Sequence, residues 1–462
     1  MLRCTALVLV LVGAAVGGSG SSRGRRSASV PDGAEVSLTR LISSGNIAAA
    51  QNAAYVYPPL FGVTSYAHYF TVNDKYNSNI FFWYFPVTTS DPNAPLVLWM
   101  QGGPGTSSLL GLFTEHGPVS IDENLNPIPR DLAWNKRYNL LYFDNPVGAG
   151  FSYTEDDAGY SNNMVDVGTN LYEALIQFLT LFPELQSKPL FITGESYAGK
   201  YVPTLGHFIH MNNPSATLKV NLSGLAWGNG FTDPPLMMDY HSHLFQIGLL
   251  DEMGKIEFEA AEAKILSLIA LNRWKDAAYA YGDMIAGDPL KPYNTLFTNL
   301  TGFTYVYNYL YQAETPRYWI DYVSQKNVSD ALHVYGRPYN RGNEVKEHFL
   351  NDLLKSVKPW VEELLNEYRV LIYIGQLDCL IPSKQVHDYM RTLVFPGALE
   401  YKTSKRYKWM VGDTIGGYVR TGGHLTDLVV RDAGHMVPLD QPELGWDLID
   451  RFIKNKSFKD KP

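Results

Sequence analysis

The sequence predicts an α/β protein: a central, mostly parallel sheet with helices on both faces and an inserted helical cap. Three observations carry this. Six short apolar runs each end in a Gly-, Pro- or Asp-rich loop, the pattern of strands buried in a parallel sheet. Helical patterns lie between several of these runs, so strands and helices alternate along the chain. From about Phe231 to Glu362 that rhythm stops, and helical patterns with Pro/Asn-rich links take over. A stretch of this size between two core strands reads as a cap over a site.

The chain opens on "MLRCTALVLVLVGAAVGGSG". One Arg, a short apolar run and then small residues predict a secretory signal peptide over residues 1–20, too short for a stable membrane anchor. Residues 21–56 read as a pro-segment or a flexible N-terminal region. Their "RGRR", Arg23 to Arg26, suits either a basic-residue cleavage site or a charged stub. The core is expected over 57–230 and 363–462, with the cap at 231–362. Within the core, "AHYFTV" and "NIFFWYFPV" flank the turn-like "NDKYNSN" and read as a hairpin. The six buried runs follow: "APLVLWM", "NLLYFD", "PLFIT", "NLSGLAWGNG", "RVLIYIG" and "TDLVVRDAGHM". "SNNMVDVGTNLYEALIQFLTLFPEL" has helical spacing and stops near Pro183, and "ELGWDLIDRFIKNK" is a terminal amphipathic helix.

Composition narrows the function. The 462 residues are 45% hydrophobic and 18% charged, with a net charge of -8, so a large core is affordable and no basic surplus exists to neutralise phosphates. Nucleic acid is not an expected partner, no further run is long enough to span a bilayer, and the oligomeric state is left open between monomer and homodimer. Aromatic residues make up 13%, which core packing alone accounts for. Of the two cysteines, Cys4 leaves with the signal peptide, so Cys379 has no intramolecular partner. Four N-x-S/T sequons, at Asn221, Asn299, Asn327 and Asn455, are glycan acceptors if exposed. Asn221 directly precedes a strand and is expected to be the least accessible.

The chemistry centres on "TGESYAGK". It almost spells the strand–Ser–helix elbow of an α/β-hydrolase, G-x-S-x-G, with Ser196 as the nucleophile and Ala198 in the second Gly slot. An alanine fits there if its φ is negative. The other reading is a serine capping a helix in an ordinary turn. A nucleophilic serine needs a base and an orienting acid, in the chain order Ser, acid, His. Asp378 in "GQLDCLIP" and His435 in "RDAGHMVP" both follow buried strands, where an open α/β sheet gathers its site. Asp432, Asp413 and Asp427 are weaker acids, read as turn or surface residues, and His424 is the rival base. Backbone N–H donors for an oxyanion are expected from Tyr197 and from Gly103 in "QGGPGTSS". No G-K-[ST] follows that loop, and His241 and His243 at i,i+2 do not face one metal, so neither cofactor nor metal is expected.

Seven segments, "LWMQGGPGTSS", "EHGP", "FDNPVGAGFSY", "TGESYAGKYVP", "GNGFTDP", "GQLDCLIP" and "AGHMVPLDQP", together resemble the serine carboxypeptidase family, in the correct order from about Tyr57 to Phe452. The likeness is to its vitellogenic-carboxypeptidase-like and lysosomal members. It implies an α/β-hydrolase fold and a secreted or lysosomal enzyme. The implied reaction is release of C-terminal amino acids from peptides and proteins through an acyl-enzyme, at acidic pH. It carries over Ser196, Asp378 and His435 as the triad and Gly103 with Tyr197 as oxyanion donors. It also implies that Trp99, Gln101, Gly102, Glu115 and Glu195 hold the substrate's terminal carboxylate. A glutamate can do so only if one of the carboxyls involved carries a proton, because like charges otherwise repel. Gln101 stands where many members have Asn, and the family's disulfides are absent. Cys379, next to Asp378, is either a reactive thiol near the site or a buried inert one.

Overall fold

Each buried run sends alternate side chains to opposite faces of one sheet. The computed structural model describes residues 37–89, 91–287, 293–311 and 315–459. The expected signal peptide and "RGRR" lie outside the described residues, but the later part of the expected pro-segment or flexible region is not flexible: Leu38–Ser43 and Ile47–Ala54 are helices that bury Leu38, Ala50 and Ala54 in the core. The main sheet has ten strands: β1 (Tyr66–Asn73), β2 (Ser78–Phe85), β3 (Leu96–Met100), β4 (Asn139–Phe143), β5 (Leu190–Glu195), β6 (Leu222–Gly228), β7 (Arg369–Gly375), β8 (Tyr407–Val411), β9 (Thr414–Gly422) and β10 (Leu425–Val430). Their spatial order is β1-β2-β4-β3-β5-β6-β7-β10-β9-β8. The central strands β4 to β10 in that order pair in parallel. Antiparallel pairs close both edges.

The expected hairpin is β1–β2, and all six apolar runs are strands of this sheet. The β8–β9 hairpin was not anticipated. Its strands are half exposed and two glycines, Gly416 and Gly417, interrupt the apolar alternation of β9. Asp427 differs from expectation as well. It is buried on β10, where its carboxylate accepts from Tyr401 Oη at 3.0 Å and contacts His387 at 3.1 Å.

Period-two alternation builds two cores. Leu98, Met100, Leu141 and Ile192 face one side, packed on α1 (Met164–Leu181) and α2 (Ala198–Asn212). Val97, Trp99, Leu140, Tyr142 and Phe191 face the other, against Trp134 and the C-terminal helix (Pro442–Ile453). Helix α1 starts where the Asn163 side chain accepts the Val165 and Asp166 N–H groups, a cap worth about 1 kcal/mol. It ends before Pro183, whose ring disfavours a helical residue ahead of it.

Between β6 and β7 the chain is mainly helical. Helices α3 (Glu252–Ala270) and α4 (Trp274–Tyr281) pack on each other, and α5 (Lys358–Leu364) packs on α2. Trp319 reaches the far side of the sheet and stacks on Phe113 at 5.6 Å. Among the described residues, no helix is long and apolar enough to cross a membrane.

Candidate active site

Ser196, Asp378 and His435 lie just beyond the carboxyl ends of β5, β7 and β10, three strands of the parallel centre. Ser196 has φ +63, a left-handed conformation that costs a non-glycine residue about 1 kcal/mol and marks a sharp strand-to-helix turn. Its neighbours must be small. A Cβ on Gly194 would stand 2.4 Å from the Met100 carbonyl oxygen and 2.7 Å from the Ala198 Cβ. Ala198 opens helix α2, so its methyl is accommodated in ordinary helical backbone. Asp378 is fully buried. Its Oδ2 accepts from His435 Nδ1 at 2.7 Å and its Oδ1 from the Leu380 N–H at 2.8 Å. The imidazole is thereby turned with Nδ1–H toward the carboxylate. The competing acids and base lie elsewhere: Asp413 and Asp432 are exposed, and His424 meets the Leu365 carbonyl at 3.1 Å.

Gly102 packs against the turn. A Cβ there would approach the Tyr197 nitrogen at 2.5 Å and the Ser196 Cβ at 2.7 Å, so only glycine lets the two backbones meet. Gly103 follows at φ +114. Gly103, Ser196 and Tyr197 open onto one cavity of about 150 Å³ whose other walls include Phe231, Tyr281, Leu350 and Ile381. The cavity is walled mainly by apolar side chains, and Ala278 and Tyr279 of α4 are among them.

A row of buried polar groups leads to Glu195, the residue before Ser196. Trp99 Nε1 donates to Gln101 Oε1 at 3.0 Å, and Gln101 Nε2 donates to Glu195 Oε1 at 2.6 Å. Glu195 meets Glu115 side chain to side chain. Both acids are buried, at 0% and 2% exposure. Among the described residues no other N–H or O–H donor reaches Glu195 Oε2 or either Glu115 oxygen, so the pair needs a proton of its own. Burial pushes the Glu115 carboxyl up to about 8, and burial with the facing Glu115 charge pushes Glu195 well above the usual carboxylate range. The two groups titrate as a pair.

Glu115 sits on the helical turn Gly111–His116. Arg130 braces that turn, donating to the Gly117, Val119 and Phe113 carbonyls at 2.8, 3.0 and 2.9 Å. Sequence reasoning missed Arg130, whose partners are backbone atoms and leave no motif. It also passed over Asn229, although "GNGFTDP" was visible. Asn229 Nδ2 donates to Asp378 Oδ2 at 2.7 Å, and its Oδ1 accepts the Gly375 N–H at 2.9 Å. A buried asparagine between two glycines after a strand was the available signal.

Cys379 is fully buried and burial pushes its thiol up, which disfavours the reactive thiolate. Asp239, His241 and Glu262 bring three donor types within 4.8 Å. Their atoms are already used: Lys384 pairs with Asp239, and Glu262 accepts the Tyr240 and His241 N–H groups. Asn299, Asn327 and Asn455 are exposed. Asn221 is exposed too, against expectation, because the strand begins only after it and its side chain turns out to the Ser187 carbonyl.

A family model described as serine carboxypeptidase matches residues 57–455. The venom serine carboxypeptidase of Apis mellifera is 44% identical, covering 91% of both chains. The vitellogenic carboxypeptidase of Aedes aegypti is 40% identical over 90% of this chain and 89% of its own. In three dimensions the chain is similar to Kex1(delta)p, a prohormone-processing carboxypeptidase from Saccharomyces cerevisiae. The TM-score is 0.74 at 23% identity, covering 85% of this chain and 92% of that one.

Proposed function

Because this chain belongs to the serine carboxypeptidase family, we propose that Ser196, His435 and Asp378 carry out the peptide hydrolysis that defines a serine-type carboxypeptidase. Ser196 Oγ attacks the last peptide carbonyl while His435 takes its proton. Asp378 holds the imidazole and stabilises its charged form. The Gly103 and Tyr197 N–H groups receive the oxyanion. The C–N bond breaks, His435 returns the proton to the leaving amine, and water then cleaves the acyl-enzyme by the same steps. Asn229 keeps Asp378 in place. Gln101, Glu195 and Glu115, with Trp99 and Gly102 behind them, hold the free carboxylate of the departing residue.

The observation that carries this reading is the buried acid pair joined to the nucleophile by one peptide bond. It places a proton where a substrate carboxylate needs a donor. Burial keeps Glu115 protonated in acidic and neutral solution, and a rise in pH through about 8 ionises it, so that a negative charge then faces the substrate carboxylate. So kcat/KM on a blocked dipeptide with a free C-terminus falls toward pH 8, while the matching C-terminal ester keeps its rate. Glu115→Gln fixes a neutral group and flattens the peptide's alkaline fall. Matching alkaline profiles for peptide and ester in the wild type count against the reading.

The apolar cavity at Ser196 is not lined by either acid of the pair. It therefore takes the side chain of the residue that forms the acyl-enzyme. Exchanging Phe for Glu at that position costs about 100-fold in kcat/KM, with the released residue unchanged. Equal rates for the two substrates would remove the cavity from the specificity. In this reading residues 231–362 are the cap, supported by the α4 side chains that line the cavity. Residues 1–20 direct the chain into the secretory pathway, for secretion or lysosomal delivery, and the four exposed sequons carry glycans. The venom origin in the name of one relative agrees with export.

A further inference from the structure

One carboxylate beside the site has no part in the mechanism above. Asp440 ends the short helix Val437–Asp440 that follows His435. Its Oδ2 accepts the Gly434 N–H at 2.7 Å and Asn308 Nδ2 at 2.9 Å. Asn308 is 1% exposed, comes from the segment between β6 and β7, and its Oδ1 is taken by the Leu310 N–H. The same segment holds the site at further points. The His435 N–H donates to the Tyr307 carbonyl at 2.7 Å, and the Tyr307 ring stacks on the imidazole at 4.7 Å. On either side of Asp378, the Leu377 carbonyl accepts the Tyr309 N–H and the Cys379 N–H donates to the Val306 carbonyl, each at 3.1 Å. Gly434 has no room to shift: a Cβ there would stand 2.2 Å from the Tyr307 oxygen and 3.0 Å from Asp440 Oδ2.

We propose that Asp440 is a positioning residue for the reaction. It pins the Gly434–His435 backbone to the inserted segment through Asn308, and its negative charge helps the Glu115–Glu195 pair retain a proton. The helix ending in Asp440 packs directly on the Gly111–His116 turn that carries Glu115. The charge of Asp440 disfavours ionisation of Glu115, while that of Arg130 favours it. Burial, and to a lesser extent the Asp378 charge, raises the Asp440 carboxyl itself. The Asp378 carboxylate also faces the pair and raises Glu195, whereas Tyr142 and Tyr373 stay neutral through burial, as does His116 beside Glu115.

This proposal rests on the acid pair as carboxylate holder, and the test separates the two. Kinetics are measured from pH 4 to pH 9 (roughly the span over which shifted carboxyls titrate) on a blocked dipeptide and its C-terminal ester. Active sites are counted by titration with an organophosphonate. Asp440→Asn keeps an acceptor oxygen and removes the charge. It moves the peptide's alkaline midpoint down by about half a pH unit and leaves kcat at pH 5 within about threefold on both substrates. Asp440→Ala also loses the pin, and kcat falls about tenfold on both substrates, without an equal rise in KM. Asn308→Ala lowers kcat and leaves the midpoint in place. An unmoved midpoint in Asp440→Asn, or equal kcat losses in the Asn and Ala variants, overturns the proposal. A wild-type midpoint that is the same for peptide and ester overturns the acid-pair reading, and the charge role of Asp440 with it.

Discussion

Ser196→Ala lowers kcat on a blocked dipeptide by about a million-fold, to the small residue left by binding and oxyanion stabilisation. The loss is this large because nucleophile, base and orienting acid act as a unit, so removing one forfeits nearly the whole of their joint contribution. The variant should fold. Ser196 already bears the left-handed backbone at φ +63, and alanine bears the same strain, so the exchange adds little. The hydrogen bonds that hold the turn are backbone ones, from the Ser196 N–H to Gly228 and from the Gly199 and Phe231 N–H groups to the Ser196 carbonyl. They survive the substitution. Unchanged circular dichroism and melting, with unreactivity toward an organophosphonate, complete the expected result. Retention of more than about a thousandth of the wild-type kcat means that another residue is the nucleophile.

Asp352→Ala destabilises the fold by about 3–5 kcal/mol, the cost of leaving one buried charge without its partner. Lys200, one turn after Ser196 on α2, is fully buried. Its Nζ donates to Asp352 Oδ2 at 3.1 Å, the Asp352 carbonyl at 2.8 Å and Tyr197 Oη at 3.1 Å. This ion pair ties the nucleophile helix to the segment between β6 and β7. Burial lowers the Lys200 ammonium to about 8 even with Asp352 present. The folded state therefore binds fewer protons than the unfolded chain above pH 8, so this group's contribution to stability rises with pH there. In Asp352→Ala the ammonium loses its counter-charge, and the deficit in denaturation midpoint is largest near pH 6 and shrinks toward pH 10. Lys200→Met combined with Asp352→Leu recovers most of the stability, since neither charge then remains to be desolvated. A loss below about 1 kcal/mol at pH 6 would show that solvent reaches the pair.

The fold was readable because burial on both faces writes continuous apolar runs, and six such runs are the parallel centre of the sheet. The β8–β9 hairpin was not readable. An edge strand packs on one neighbour only, and Gly416 and Gly417 remove the alternation that would have marked it. Ser196, Asp378 and His435 could be picked out because each stands in a short loop after a buried run, which is where such a sheet collects its chemistry. Asn229 and Asp440 could not. Their meaning lies in the atoms they meet, Asp378 from β7 and Asn308 from the inserted segment, and neither neighbour is close in sequence.

By itself, the sequence determined the strand–turn–helix around Ser196, the order of the candidate triad and the small residues that so tight a turn requires. These are local properties of backbone sterics and hydrophobic period. The tertiary structure decided which way the His435 ring is turned, that the buried Glu115 and Glu195 carboxyls meet, and that an apolar cavity opens at Ser196 with neither of them in its walls. Glu115 and Glu195 are 80 positions apart in sequence. Whether two carboxyls share a proton depends on their separation and on exclusion of water, and both arise only when the sheet brings distant loops to one edge.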